Sequence, residues 1–263
     1  MNHSARPYPQ ATSPVSDQVI TTDTQSLVAS DVRIPVTDGS MPGYLAHPQE
    51  GNCFPVILVI QEIFGVHEHI RDVCRRLAKL GYLSIAPELF WRFGDVTGMK
   101  GMSEIMTNVV SKVSDAQILA DLDATLAFAV EQAAGDPDRL AITGFCWGGR
   151  ITWLYCAHNA ELKAGIAWYG RLAGASSKLQ PRHPLDIAAE LTVPVLGLYG
   201  GQDGSIPLES VDRMRELLAT GTSGSAIHVY ADAPHAFFAD YRANYRKEDA
   251  EDGWKQLQSW LNR

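Results

Sequence analysis

Residues 144–149, GFCWGG, set a cysteine among glycines directly after the apolar run RLAIT. A thiol attacks as its thiolate, and two features of this stretch would favour that form. Gly144 and Gly148, two places either side of Cys146, permit a turn too tight for larger side chains, the Gly-x-nucleophile-x-Gly pattern. The segment that follows reads as a helix, whose N-terminus would turn its positive dipole end toward the sulfur. Asp203 in GGQDGSIP and His235 in ADAPHAFF could supply an acid to orient a base and the base itself. Singly, each has an ordinary reading: a buried thiol, an Asp-Gly turn residue, a loop histidine. Together, role, chain order and position after an apolar run make Cys146, His235 and Asp203 a candidate triad.

Such residues need elements that bring them to one place. The segments LVASDVRI and MPGYLAH read as opening strands, an antiparallel edge. PVILVIQ is apolar almost throughout and rich in β-branched residues, as a strand covered on both faces should be. YLSIAP, DRLAIT, LKAGIAWY, PVLGLYG and SAIHVY continue the series. Between them lie helical segments. HEHIRDVCRRLAKLG carries Ile70, Val73, Cys74, Leu77 and Leu80 at helical spacing, with Gly81 as a stop. Residues 102–133 predict two helices, the second with a stripe of Ile118, Leu119, Leu122, Leu126 and Val130. GRITWLYCAHNA, PLESVDRMRELLA and EDAEDGWKQLQSWL complete the set. Repeated β-α alternation predicts an α/β fold, with a mostly parallel central sheet and helices on both faces. Ligands of such sheets bind beyond the carboxyl ends of the strands, where Cys146, Asp203 and His235 all fall.

The chain has 263 residues, 46% hydrophobic and 20% charged, which suits one large domain over residues 27–263. Residues 1–26, rich in Pro, Ser, Thr and Gln, read as a flexible tail or an arm on the surface. The formal net charge of −8 argues against nucleic-acid or anionic-membrane partners. The longest strongly apolar run, FPVILVI, is far short of the roughly 20 residues of a membrane span. Four cysteines without zinc spacing or a CxxC pair point to a reducing compartment, and a cytoplasmic location is expected. Cys53, Cys74 and Cys156 read as structural, His67 and His69 as surface residues, and His228 as a structural strand residue.

The motifs QEIFGVHEHIRDVCRRLA, GYLSIAPELF, GFCWGGR, WYG, GGQDGSIP and PHAFF together resemble the dienelactone hydrolase (carboxymethylenebutenolidase-like) family of the α/β-hydrolase fold. The resemblance runs from about Val32 to the C-terminus. A cysteine at the elbow beside QEIFG is specific to it, because most α/β-hydrolases carry serine there. The resemblance implies that Cys146, His235 and Asp203 are the triad and that Glu62 hydrogen-bonds the resting thiol. It implies an oxyanion hole made by the backbone N–H groups of Ile63 and Trp147. It also implies that Arg92 holds a substrate carboxylate, with Phe64, Trp91, Trp147 and Tyr169 as pocket walls. The family's second carboxylate-binding arginine falls four residues beyond the histidine, where this chain has Ala239; Arg242 stands three residues further on.

The expected activity is cysteine-dependent hydrolysis of small lactones or enol esters, carboxylate-bearing in the family, through an acyl-enzyme and without metal or organic cofactor. The alternatives are a broader esterase or thioesterase, or a catalytically silent fold used for binding or redox sensing through Cys146.

Overall fold

A computed structural model describes residues 8–12, 14 and 19–263 of the chain. Among these residues the eight apolar runs form one sheet. Its strands are β1 (Leu27–Val36), β2 (Gly39–Pro48), β3 (Phe54–Ile60), β4 (Leu83–Pro87), β5 (Gly135–Phe145), β6 (Ala164–Trp168), β7 (Val195–Gly200) and β8 (Ala226–Tyr230). The helices are α1 (Glu68–Lys79), α2 (Met102–Asn108), α3 (Asp115–Gln132), α4 (Trp147–His158), α5 (Pro184–Ile187), α6 (Leu208–Thr220) and α7 (Lys247–Leu261). Only α5, a single turn, had no counterpart in the sequence pattern.

The strand order is β1-β2-β4-β3-β5-β6-β7-β8. The β1–β2 and β2–β4 pairings are antiparallel; the others are parallel. The run Val56–Ile60 is wholly buried because β3 lies between β4 and β5. Each such side chain contributes about 1.5–3 kcal/mol by leaving water. The helix α1 buries Ile70, Val73, Cys74 and Leu77, whereas Leu80 lies just past its end and is exposed. The stripe on α3 is buried at Ile118, Leu122 and Leu126, with Leu119 and Val130 at its partly covered margins.

One buried ion pair anchors the helix behind Cys146. Arg150 on α4 donates through both terminal nitrogens to the two carboxylate oxygens of Asp115, at 2.7 Å each. Its Nε lies 3.3 Å from His183 Nδ1. A two-pronged pair of this kind fixes a helix in rotation as well as in position.

Part of the N-terminal stretch lies outside the described residues, and the rest rests on the domain. Gln10 N–H donates to the Thr97 carbonyl at 3.0 Å. Further on, Thr22 N–H donates to Asp72, and Arg75 Nε returns a bond to the Thr22 carbonyl at 2.8 Å. No helix among the described residues is long and apolar enough to cross a membrane.

Candidate active site

Cys146 occupies the turn between β5 and α4 with φ 55° and ψ −113°, a conformation that costs a non-glycine residue strain. The surrounding turns explain the glycines. A Cβ on Gly144 would sit 2.4 Å from the Gly148 carbonyl oxygen, and one on Gly148 would sit 2.5 Å from the carbonyl oxygens of Ile60 and Gln61. The elbow therefore packs backbone against backbone. Hydrogen bonds from Cys146 N–H to the Trp168 carbonyl, 3.0 Å, and from Arg150 N–H to the Cys146 carbonyl, 3.2 Å, hold it there.

Beside the sulfur lies His235, five residues beyond β8. Its Nδ1 is 2.6 Å from Asp203 Oδ2, and Cys146 is close enough to act on its charge. Asp203 is itself fixed, because its Oδ1 accepts the Ser205 N–H at 2.8 Å. Burial works against charge on the imidazole, but Asp203 and Cys146 push its pKa up to about 10. Tyr169 packs edge-on to the ring, with centroids 5.2 Å apart. Imidazole and carboxylate thus form a direct pair, with the sulfur in their electrostatic neighbourhood.

Glu62 lies in the loop after β3, 1% exposed, and Tyr169 and Arg242 each feel both it and Cys146. Tyr241 OH donates to its Oε2 at 2.8 Å, and His67 Nε2 lies 3.6 Å from the same oxygen. Burial disfavours the charge, yet His67 and Arg242 outweigh it and hold the carboxyl down at about 2. The Tyr169 hydroxyl is buried, feels both Glu62 and Cys146, and has no hydrogen-bond partner among the described residues. The backbone N–H groups of Ile63 and Trp147 likewise find no protein acceptor among the described residues.

The two arginines have different surroundings. Arg92 is engaged on both sides, with Nε and Nη2 on Asp38 and Nη1 and Nη2 on Asp121 at 2.6–3.0 Å. It pins the β1–β2 turn to α3 and stacks over Trp91, its Cζ 4.6 Å from the ring centroid. Arg242 is half-buried, 5.7 Å from the Phe64 ring centroid, and interacts electrostatically with Glu62, Tyr169 and Cys146. No carboxylate among the described residues lies within ion-pair distance of it. Trp147 packs its ring on Phe90 at 4.7 Å.

A model of the dienelactone hydrolase family matches residues 41–263. The chain belongs to that family. A protein of Methylorubrum extorquens described as "Putative carboxymethylenebutenolidase" is 58% identical over 95% of this chain and 87% of its own length. A protein of the same description from Escherichia coli K12 is 51% identical over 97% of this chain and 94% of its own. The crystal structure of a "Putative Dienelactone Hydrolase" from Klebsiella pneumoniae superposes with a TM-score of 0.88 at 52% identity. It covers 90% of this chain and 99% of that one. With dienelactone hydrolase membership comes the enzyme class, a carboxylic ester hydrolase, on the α/β-hydrolase fold.

The reading of two histidines needs correction in this dienelactone hydrolase site. His67 and His69 are not surface residues: they are 0% and 1% exposed. The first turn of α1 is covered by the loop after β8, where His69 Nδ1 lies 3.2 Å from Asp240. Tyr241 was not singled out from sequence either. Its position in ADYRANY carries no pattern that would separate it from a packing tyrosine. Of the other three cysteines, Cys74 and Cys156 are buried and Cys53 is exposed, and all are free thiols.

Proposed function

We propose that this protein hydrolyses small lactones or enol esters through an acyl-enzyme on Cys146, with carboxylate-bearing substrates recognised by Arg242. One observation carries the reading: a strained elbow cysteine at a helix N-terminus acts electrostatically on a histidine that Asp203 holds at 2.6 Å. His235 keeps a proton at neutral pH, and the thiol proton passes to Glu62, leaving a thiolate beside the imidazolium. Arg242 is the trigger. While it stands free, its charge lowers the proton affinity of Glu62; a substrate carboxylate that neutralises it raises that affinity.

Sulfur then attacks the carbonyl carbon, and the oxyanion rests on the Ile63 and Trp147 N–H groups. Collapse breaks the ester C–O bond, and His235 gives its proton to the departing enolate oxygen. Water attacks the thioester, delivering a proton to His235, and the second collapse expels the thiolate as the acid forms. When the product carboxylate leaves Arg242, Glu62 returns its proton to sulfur. The idle enzyme therefore carries a thiol rather than an oxidation-prone thiolate.

The test compares wild type with Cys146→Ala on a dienelactone and on a neutral aryl ester, with mass spectrometry for the thioester. The acyl adduct and turnover should both vanish in the variant. Retention of full hydrolysis by Cys146→Ala would sink the mechanism. Equal turnover of the charged and neutral esters would instead favour a broader esterase.

A further inference from the structure

The loop after β8 carries both His235 and Arg242, yet residues 231–246 contain no helix or strand. Its shape rests on turns, such as Arg242 N–H on the Ala239 carbonyl at 2.9 Å, and on what packs against it. Tyr241, next to Arg242 in the chain, is the buried anchor of this segment. Its ring lies 5.0 Å from His67 and 5.2 Å from His69, and its hydroxyl is spent on Glu62. A further ring closes over it from the other end of the chain: Tyr8, with centroids 5.3 Å apart.

The arm that brings Tyr8 there is tied down on both sides. Pro9 is buried, and Gln10 N–H donates to the Thr97 carbonyl at 3.0 Å. Farther along, Thr22 N–H donates to Asp72, and Arg76 joins Asp72 to Asp240 of the loop. Ile20 lines one groove with Phe238 and Tyr245 of the same loop. The arm thus meets the loop at two separate places. Burial, with Asp240 and Glu68 nearby, pushes the Tyr8 hydroxyl up to about 12, so Tyr8 stays uncharged at neutral pH and serves as a ring. The family match begins at residue 41, so this brace lies outside it.

We propose that Tyr8 is a positioning residue for substrate recognition: its ring backs Tyr241 and so holds the neighbouring Arg242 where a substrate carboxylate can meet it. The inference rests on the reading of Arg242 as the partner of that carboxylate and adds what keeps the arginine in place. A guanidinium with no protein carboxylate beside it has no ion pair to hold it, so its backbone must. Ordering a loose segment on binding costs conformational entropy, and that cost appears in KM. A segment braced in advance avoids it. A neutral ester makes no use of Arg242 and should not sense the arm.

The test is steady-state kinetics of the full-length protein on a dienelactone and on a neutral aryl ester. Tyr8→Ala is expected to raise KM for the dienelactone roughly three- to tenfold, the scale of one lost aromatic contact, with kcat within about twofold. KM for the neutral ester should not move. Tyr8→Phe, which keeps the ring, should restore the wild-type KM. The double variant Tyr8→Ala/Arg242→Ala decides whether the effect runs through Arg242, and it should be no worse than Arg242→Ala alone. Additive losses, or equal losses on both esters, would make Tyr8 a general packing residue and overturn the proposal. If Arg242→Ala itself spared the dienelactone, the reading of Arg242 and this inference would fall together. If Arg242→Ala lost the dienelactone selectively while Tyr8→Ala matched wild type, only the positioning role would fall.

Discussion

Two groups of side chains in one site are built on opposite terms. On the first, Asp203 is bonded to both His235 and the Ser205 N–H, and His235 stands beside Cys146 without any ligand. On the second, Glu62 Oε1, both nitrogens of His67 and the hydroxyl of Tyr169 are buried without hydrogen-bond partners among the described residues. Paired groups are set in advance, as electrostatic preorganisation requires. Buried polar groups without a protein partner are open to a new one. The paired side is thus suited to chemistry and the unpaired side to sensing whether substrate is present.

The largest effects should come from breaking the paired side. Cys146→Ala is expected to lower kcat by about 10⁴-fold or more, since the members of such a unit fail together. Asp203→Asn should cost about 10³- to 10⁴-fold, because the imidazole loses both its orientation and the charge that favours its protonated form. Steady-state turnover of one ester per mole of enzyme gives both numbers.

The same variant sharpens the comparison through pH. A histidine whose folded pKa is raised to about 10 contributes stability that is fully present below its ordinary value near 6.5. That contribution is lost as pH rises through about 10. The melting temperature of wild type should therefore exceed that of Asp203→Asn most at pH 6, and the gap should narrow steadily toward pH 10. A gap that widened with pH would mean that the imidazole is neutral in the folded state.

Much of the paired side was legible in the chain because each member follows a strand and sits among turn residues. The glycines of GFCWGG need no homologue to explain them: a Cβ at either would collide with backbone. The strands were legible for the same reason, since a run such as FPVILVI has few other fates. The unpaired side was hidden. His67 reads as a polar residue before a helix, and nothing local says that a loop from the far end of the chain will bury it. Arg92 and Arg242 were equally opaque, because what separates them is the presence of Asp38 and Asp121 beside one of them, residues distant in sequence.

That separation gives a prediction of intermediate size. Arg242→Ala should raise KM for a carboxylate-bearing lactone by roughly 10- to 100-fold, the value of one charge-assisted hydrogen bond. Its effect on a neutral aryl ester should be within a few-fold. A variant that lost both substrates equally would remove Arg242 from substrate recognition and return it to the fold.

Arg92→Ala should do the reverse and have the smallest effect on catalysis. Its guanidinium already spends four of its five N–H donors on two carboxylates, which leaves one Nη1–H free. Asp121, 1% exposed, would be stranded by the change, while Asp38, 50% exposed, would simply hydrate. Stranding a buried carboxylate costs about 3–5 kcal/mol when the pair is wholly buried. Arg92 is 21% exposed, so solvent screens part of the attraction and the loss should be nearer about 2 kcal/mol. Urea denaturation measures it, and adding Asp121→Asn should recover most of the loss, because an amide can stay neutral in the same pocket. If Arg92→Ala kept its stability and lost only the charged substrate, the two arginines would have to exchange roles.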